Sequence, residues 1–142
     1  MDIEKKINFL SRFDLNKSIL KILNSRKVSD MVVMMQQKRL YETGKDSTGE
    51  SLGSYSPVTV VLKREKEQRV DHITLRDTGE FYRSMTFSAT ETELIFDADP
   101  VKEENNLFDD FGIDILGLTK KNKERLIGII NSELIILLSF RL

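Results

Sequence analysis

Few side chains in this sequence could carry a reaction, and their spacing restricts what they could do. There is one histidine, His72, in RVDHITL, and there is no cysteine. A lone imidazole without thiolates cannot complete a common zinc site. Asp71 precedes it, but neighbours in an extended segment project to opposite faces. A Ser-His-Asp hydrolase would need a nucleophile at a positioned turn. Ser54 and Ser84 are available, and neither lies in a nucleophile-elbow pattern. The carboxylates Asp97, Asp99, Glu103, Glu104, Asp109, Asp110 and Asp114 miss the spacing of an EF-hand calcium loop. A glycosidase-type acid pair depends on separation in space, which a sequence does not fix. Neither GxxxxGK[ST] nor GxGxxG occurs. Aromatic residues do not interleave with basic ones as on a single-strand binding platform. The expectation is a protein that is not an enzyme, with no metal and no cofactor.

The stretch that mixes polar turn residues with aromatics is LRDTGEFYRSM, residues 75–85. Asp77 three residues before Glu80 reads as a capping box with Asp at the cap. Phe81 and Met85 are i, i+4 neighbours expected to face the core. Downstream, MTFSAT alternates Met85, Phe87 and Ala89 with polar positions. ELIFDA places Leu94 and Phe96 on one face and Ile95 on the other. Together they predict a hairpin turning near residues 90–92.

Residues 3–43 read as helix. Ile3, Ile7 and Leu10 start an apolar stripe, Asp14 can cap a second segment, and Asn24-Ser25 marks an interruption. Val28, Met31, Val32, Met35 and Leu40 continue at helical spacing, and Gly44 stops the helix. Met31, Met34 and Met35 are read as core filler. Residues 44–56 form a polar, glycine-rich loop. Ser56 followed by Pro57 can cap a short helix, and KREKEQR reads as a solvated face. Leu107, Phe108 and Phe111 suit a short helix ended by Gly112. Thr119 opens the last helix, 119–140, in which Leu126, Ile130, Leu134, Leu137 and Leu138 form one stripe widened by Ile127, Ile129, Ile135 and Ile136. A helix so apolar must be covered by a core or a subunit interface. Its apolar run is too short, and too interrupted by Asn131, Ser132 and Glu133, to span a membrane. The fold class expected is α+β: N-terminal helices, a small antiparallel sheet or hairpin, and a long C-terminal helix.

A chain of 142 residues with 39% hydrophobic and 32% charged residues suits one globular domain, 1–142, with a helical part over 1–43. No basic, apolar leader ending in small residues is evident, so no secretory signal is expected. A cysteine-free composition fits folding in a reducing, intracellular setting. The formal net charge is −1, yet residues 91–114 hold nine Asp/Glu and one Lys. The flanking segments 1–44 and 115–142 are net positive. Such a segment is either a solvated loop balanced within the fold or one side of charge complementarity between copies in an assembly.

Three features occur in a fixed order: GESLGSYSPVTVVLK (49–63), then LRDTGEFYRSM (75–85) before a strand, then FDDFG (108–112) and ILGLT (115–119) before the last helix. Together they resemble the phage virion-morphogenesis, or tail-completion (head–tail connector), family of the phage Mu type. The resemblance covers roughly residues 44–130. Tyr55 stands where that family has an aromatic, often Trp; Phe81-Tyr82 replaces a Leu-Arg type pair; and a Pro-rich turn before the last helix is missing.

The resemblance implies a structural virion protein of the neck or tail, assembled in the host cytoplasm. It would form a ring, six- or twelve-fold, around a channel through which DNA passes without sequence-specific binding. Its partners would be portal, connector or tail proteins, and no membrane. No catalytic residues come with the family. Leu52, Tyr55, Thr59, Leu75, Thr78, Gly79 and Ser84 match as fold and contact positions. Residues 97–117 are expected as an arm reaching a neighbour. Asp97, Asp99, Glu103, Glu104, Asp109, Asp110, Leu134 and Leu137 are the expected inter-subunit contacts. The competing expectation is a small cytoplasmic adaptor or chaperone-like domain that binds peptides on its N-terminal helices and Met31, Met34 and Met35.

Overall fold

A computed structural model describes residues 2–141 and is α+β. Three helices open it: α1 (Ile3–Arg12), α2 (Leu15–Leu23) and α3 (Arg26–Thr43). Asp14 caps α2 as the sequence indicates, and Ser25, at the interruption, caps α3. Asp14 accepts from the Lys17 amide at 3.0 Å, and Ser25 accepts from Val28. Gly44 ends α3 in the left-handed conformation (φ 61°). A β-carbon there would stand 2.8 Å from His72 Cβ. The loop to residue 56 leads into α4 (Pro57–Glu65), capped by Ser56 at Thr59 N (3.2 Å).

A short helix, α5 (Glu80–Ser84), then enters a hairpin, β1 (Thr86–Ala89) with β2 (Leu94–Asp97), paired antiparallel with Phe87 opposite Phe96. A second, two-residue ladder, β3 (Val101–Lys102) with β4 (Asn105–Asn106), precedes α6 (Leu107–Phe111), a 3-10 turn (Ile113–Ile115) and the long α7 (Lys120–Arg141). Thr119 Oγ1 accepts from Asn122 N at 3.1 Å and so caps α7.

α3 is the spine. Its first half, through Val28, Val32 and Met35, packs with Leu23, Phe87, Ala89, Leu118 and Leu126. Its last turns place Leu40 in a second cluster with Phe81, Tyr82, Met85, Ala98, Leu107, Ile115 and Leu116. Phe81 and Met85 share this cluster, as their spacing predicts.

Polar side chains of α3 and of the α2–α3 joint bond the backbone of distant segments. Asn24 both donates to Ala89 O and accepts from Ala89 N, each at 2.9 Å. Ser29 donates to Phe87 O at 3.1 Å. Gln36, fully buried, accepts from Gly117 N at 2.9 Å. Arg39 spreads its guanidinium over three carbonyls: Lys45 (3.1 Å), Gly117 (2.6 Å) and Ile115. Burial lowers the pKa of Arg39, with Asp46 opposing the shift.

Several expectations are corrected. The 97–117 segment packs on its own chain: Ala98, Leu107, Ile115 and Leu116 are buried in the second cluster, and Arg39 and Gln36 bind its backbone at Ile115 and Gly117. Residues 101–105, 109–110 and 112–114 of it are exposed. Of the three methionines, Met35 is buried, Met31 is half-buried and Met34 is 63% exposed, since it lies on the side of α3 away from both clusters. Leu94 and Ile95 are both exposed and only Phe96 is drawn inward, because β2 is the outer strand with no layer over it. Asp71 and His72 do not diverge: the chain bends there, and Asp71 Oδ2 lies 3.2 Å from His72 Nδ1.

Replacing Arg39 with Met keeps the apolar stem and removes the fork that serves three carbonyls. Urea unfolding should show a loss of about 3 kcal/mol, since charge-assisted bonds contribute roughly 1.5–3 kcal/mol each. Arg39→Lys should recover only part of this, because an ammonium cannot span three carbonyls in a planar fork. Full stability in either variant would contradict the role given to this residue.

Candidate functional site

The 75–85 stretch lies where three parts of the chain are tied together. Thr74, almost wholly buried, is held between two tyrosines. Its amide donates to the Tyr55 hydroxyl at 2.9 Å, and its carbonyl accepts from the Tyr82 hydroxyl. Burial pushes the Tyr82 phenol well above its usual range, and nearby Arg76 opposes this, so it is a fixed donor. Lys63 sits over the Tyr55 ring, 4.8 Å from its centroid. The next residue, Leu75, has φ 56°, an uncommon conformation for a branched side chain that the surrounding bonds must hold.

Asp77 does not cap α5. The helix starts one residue after Gly79, whose φ of 85° redirects the chain, and Thr78 Oγ1 accepts from Glu80 N at 3.3 Å. Asp77 instead turns toward α4 and β3, accepting from Lys66 (3.2 Å), Lys102 (3.1 Å) and Gln68 (3.2 Å). The Lys102 bond lowers the carboxyl pKa most, and Gln68 and Lys66 add to it against burial, bringing it to about 2. Its cleft of about 520 Å³ runs between Tyr55 and Lys63 on one side and Lys102 and Phe111 on the other. A carboxylate ionised at neutral pH and shared by two ammonium groups is a tether between α4 and the β3–β4 ladder.

The positions matched by resemblance fall around this joint. Leu52 and Leu75 pack on the second cluster. Tyr55 and Thr78 make the bonds just described. Thr59 shares a hydroxyl bond of 2.8 Å with Ser56. Gly79 makes the turn. Ser84 donates to Phe81 O (2.7 Å) and accepts from Asp99 N (2.9 Å), linking α5 to the segment after β2.

His72 stands apart. Its Nε2–H donates to the Tyr41 carbonyl at 2.6 Å, since a carbonyl only accepts. Asp46 satisfies its own loop: burial raises its pKa, but the Thr48 hydroxyl and the Thr48 and Glu50 amides outweigh that and hold it low.

The acids of 91–114 are not gathered into one centre. Among the described residues no group of three or more His, Asp or Glu side chains could hold a metal ion. Asp97, Asp99, Glu103, Glu104, Asp109, Asp110 and Asp114 are all exposed, and none is in an ion pair among the described residues. Asp97 and Asp99 accept local amides, from Ala98 (2.9 Å) and Val101 (3.0 Å).

On α7, Leu126 is buried, and Lys27 pairs with Glu133 at 2.5 Å. Leu134 and Leu137 are half-buried, whereas Ile127, Ile135 (64%) and Ile136 (59%) are open. α1 has no buried residue, and its Ile3, Ile7 and Leu10 are exposed. Among the described residues no helix is long and apolar enough to cross a membrane.

Thr74, Tyr82, Gln36 and Arg39 were not singled out from sequence. For Gln36 and Arg39 a signal existed: both fall on the buried side of α3, among Val32, Met35 and Leu40. Compared with known proteins, the chain matches no family model, no curated protein and no solved structure.

Two outcomes follow. Asp77 titrates lower in the folded chain than the ordinary carboxylate value of about 4. Its contribution to stability is therefore complete above that value and is lost as pH falls through about 2. Asp77→Asn should flatten the acid limb of a stability-against-pH curve by about 1 kcal/mol after solvent screening, with little change between pH 6 and 8 expected in the slope. Gly79→Val should lower the melting temperature, because its β-carbon would be strained at this φ and 2.8 Å from Arg83 Nη1. A stable, well-folded Gly79→Val protein that fails to assemble would instead assign Gly79 a direct contact role.

Proposed function

We propose that this protein is a structural, non-enzymatic subunit of a phage virion. It would act at the neck or tail in tail completion or head-to-tail joining, as a ring of identical copies around the DNA channel. The order of the motifs supports this, and one observation carries it. Successive helix residues turn by about 100°, so the run Leu134-Ile135-Ile136-Leu137-Leu138 points in every direction around α7. Packing against α2 and α3 from one side cannot cover it, and Ile135 and Ile136 are left in water. An apolar surface of this kind marks an interaction site.

The exposed, unpaired acids of 97–114 fit the same role. Against a lumen they would repel the phosphate backbone and leave DNA free to slide. Against a neighbour they would meet basic groups. The adaptor reading needs the N-terminal helices with Met31, Met34 and Met35 as one surface; α1 exposes Ile3, Ile7 and Leu10, but of the three methionines only Met34 is widely exposed. Portal, connector or tail proteins remain the partners of this reading, and the virion its place after assembly in the host cytoplasm.

Size-exclusion chromatography with light scattering tests it. The wild-type chain should form a discrete closed oligomer, alone or on a portal or tail partner. Ile135→Glu should shift that species toward monomer while leaving the monomer's melting temperature within a few degrees, because Ile135 makes little buried contact. A stable monomer that binds many unrelated apolar peptides would overturn the ring in favour of an adaptor.

A further inference from the structure

Two surface features, the first bordering the tyrosine-held joint, are complementary in charge. The first is a shallow groove of about 460 Å³ on the outer side of α3, floored by Met34 and Tyr41. Its rim carries Lys38, Arg76 and Arg83 against a single carboxylate, Glu42. None of the three cations is in an ion pair among the described residues. Arg76 lies 5.6 Å from the Tyr41 ring centroid. The second is the outer edge of β2 with the 3-10 turn, a groove of about 340 Å³. It has exposed Leu94, Ile95 and Ile113, the carboxylates Glu93 and Asp114, and no cation in its lining.

The two lie on opposite sides of the spine. Met34, Gln37, Lys38 and Tyr41 recur at three- and four-residue spacing on one side of α3. Gln36 and Arg39, which grip Ile115 and Gly117, leave from the other side. Each feature combines an apolar floor with unpaired charge mainly of one sign, and those signs are opposite.

We infer that the basic groove on α3 receives the acidic β2–turn edge of a second copy of this chain. The contact is heterologous, so each copy keeps one groove and one edge free for the next. A chain of such contacts closes into a ring when the rotation allows. Lys38 and Arg83 face Glu93 and Asp114 of the neighbour, and Met34 and Tyr41 cover Leu94, Ile95 and Ile113. Rim charges of this kind set the pairing and its salt dependence more than the total affinity. This inference rests on the ring reading above and specifies which surfaces meet.

Reciprocal charge swaps test it. One variant carries Lys38→Glu with Arg83→Glu, the other Glu93→Lys with Asp114→Lys. All four positions are exposed, and circular dichroism melts verify that both variants fold. Sedimentation velocity across a concentration series should show each variant alone assembling at least about tenfold less readily than wild type. An equimolar mixture should restore assembly, because every groove then finds an edge of opposite sign. Wild-type assembly should also weaken between 50 mM and 500 mM salt (roughly a fall in Debye length from 14 to 4 Å), a measurement that needs no variant. Variants that assemble like wild type, or a mixture that fails to rescue, would overturn this pairing and leave the ring itself standing. A wild-type chain that stays monomeric at high concentration, with or without a tail partner, would overturn the ring reading and this inference together.

Discussion

The fold depends on side chains of one helix satisfying the backbone of others. Loops and short elements make up the middle of the chain, and their amides and carbonyls need partners once buried. α3 and the residues just before it supply them. Asn24 and Ser29 hold the first strand, Gln37 donates to Tyr82 O at 2.9 Å, and Gln36 and Arg39 hold the turn before the last helix. Arg39 has the most at stake, because its charge is tolerated in the interior only while all three carbonyls stay in place. Removing it would leave a cavity, three unserved carbonyls and a displaced start of α7.

Around that spine the two apolar clusters have different tasks. The first joins α2, α3, the hairpin and α7, and so orients the long helix on which Ile135 and Ile136 are exposed. The second gathers α5, α6 and the 3-10 turn, and so fixes the surface on which the acids stand. Val33 and Phe96 touch both clusters, so neither packs independently. The 75–85 stretch belongs to the second cluster through Phe81, Tyr82 and Met85, and its polar residues connect that cluster to α4 and the β3–β4 ladder. Its glycine and charges are architectural chemistry concentrated at one joint.

Much of this was legible in the sequence where the signal is local. Caps at Asp14, Ser56 and Thr119, the stop at Gly44, and the alternation of Met85, Phe87 and Ala89 each follow from nearest neighbours along the chain. Most failures involve partners far away in sequence. Asp77 had the spacing of a cap, but Lys66 and Lys102 outcompeted the amides of its own turn. The acids of 97–117 suggested an extended arm, yet Ala98, Leu107, Ile115 and Leu116 among them turn inward, and Arg39, on a helix far upstream, holds the carbonyls of Ile115 and Gly117 just after the last acid. Asp71 and His72 were assigned opposite directions by the geometry of an extended strand, and a bend removed that premise. Of the contact positions, those with backbone duties, such as Gly79 and Thr78, were locatable; Thr74 and Tyr82 were not, since a hydroxyl's partner is set only by tertiary packing.

The hairpin has one further consequence. Phe87 and Ala89 turn their polar backbone groups toward Ser29 and Asn24, so by the alternation of an antiparallel ladder Leu94 and Phe96 turn theirs outward from β2. A two-stranded sheet normally offers two open margins to any passing strand. Here the spine seals one of them with side-chain amide and hydroxyl groups. The other is four residues long and begins beside Glu91 and Glu93. The sheet can therefore be extended in one direction only, and negative charge at the entrance to that margin discourages runaway strand addition.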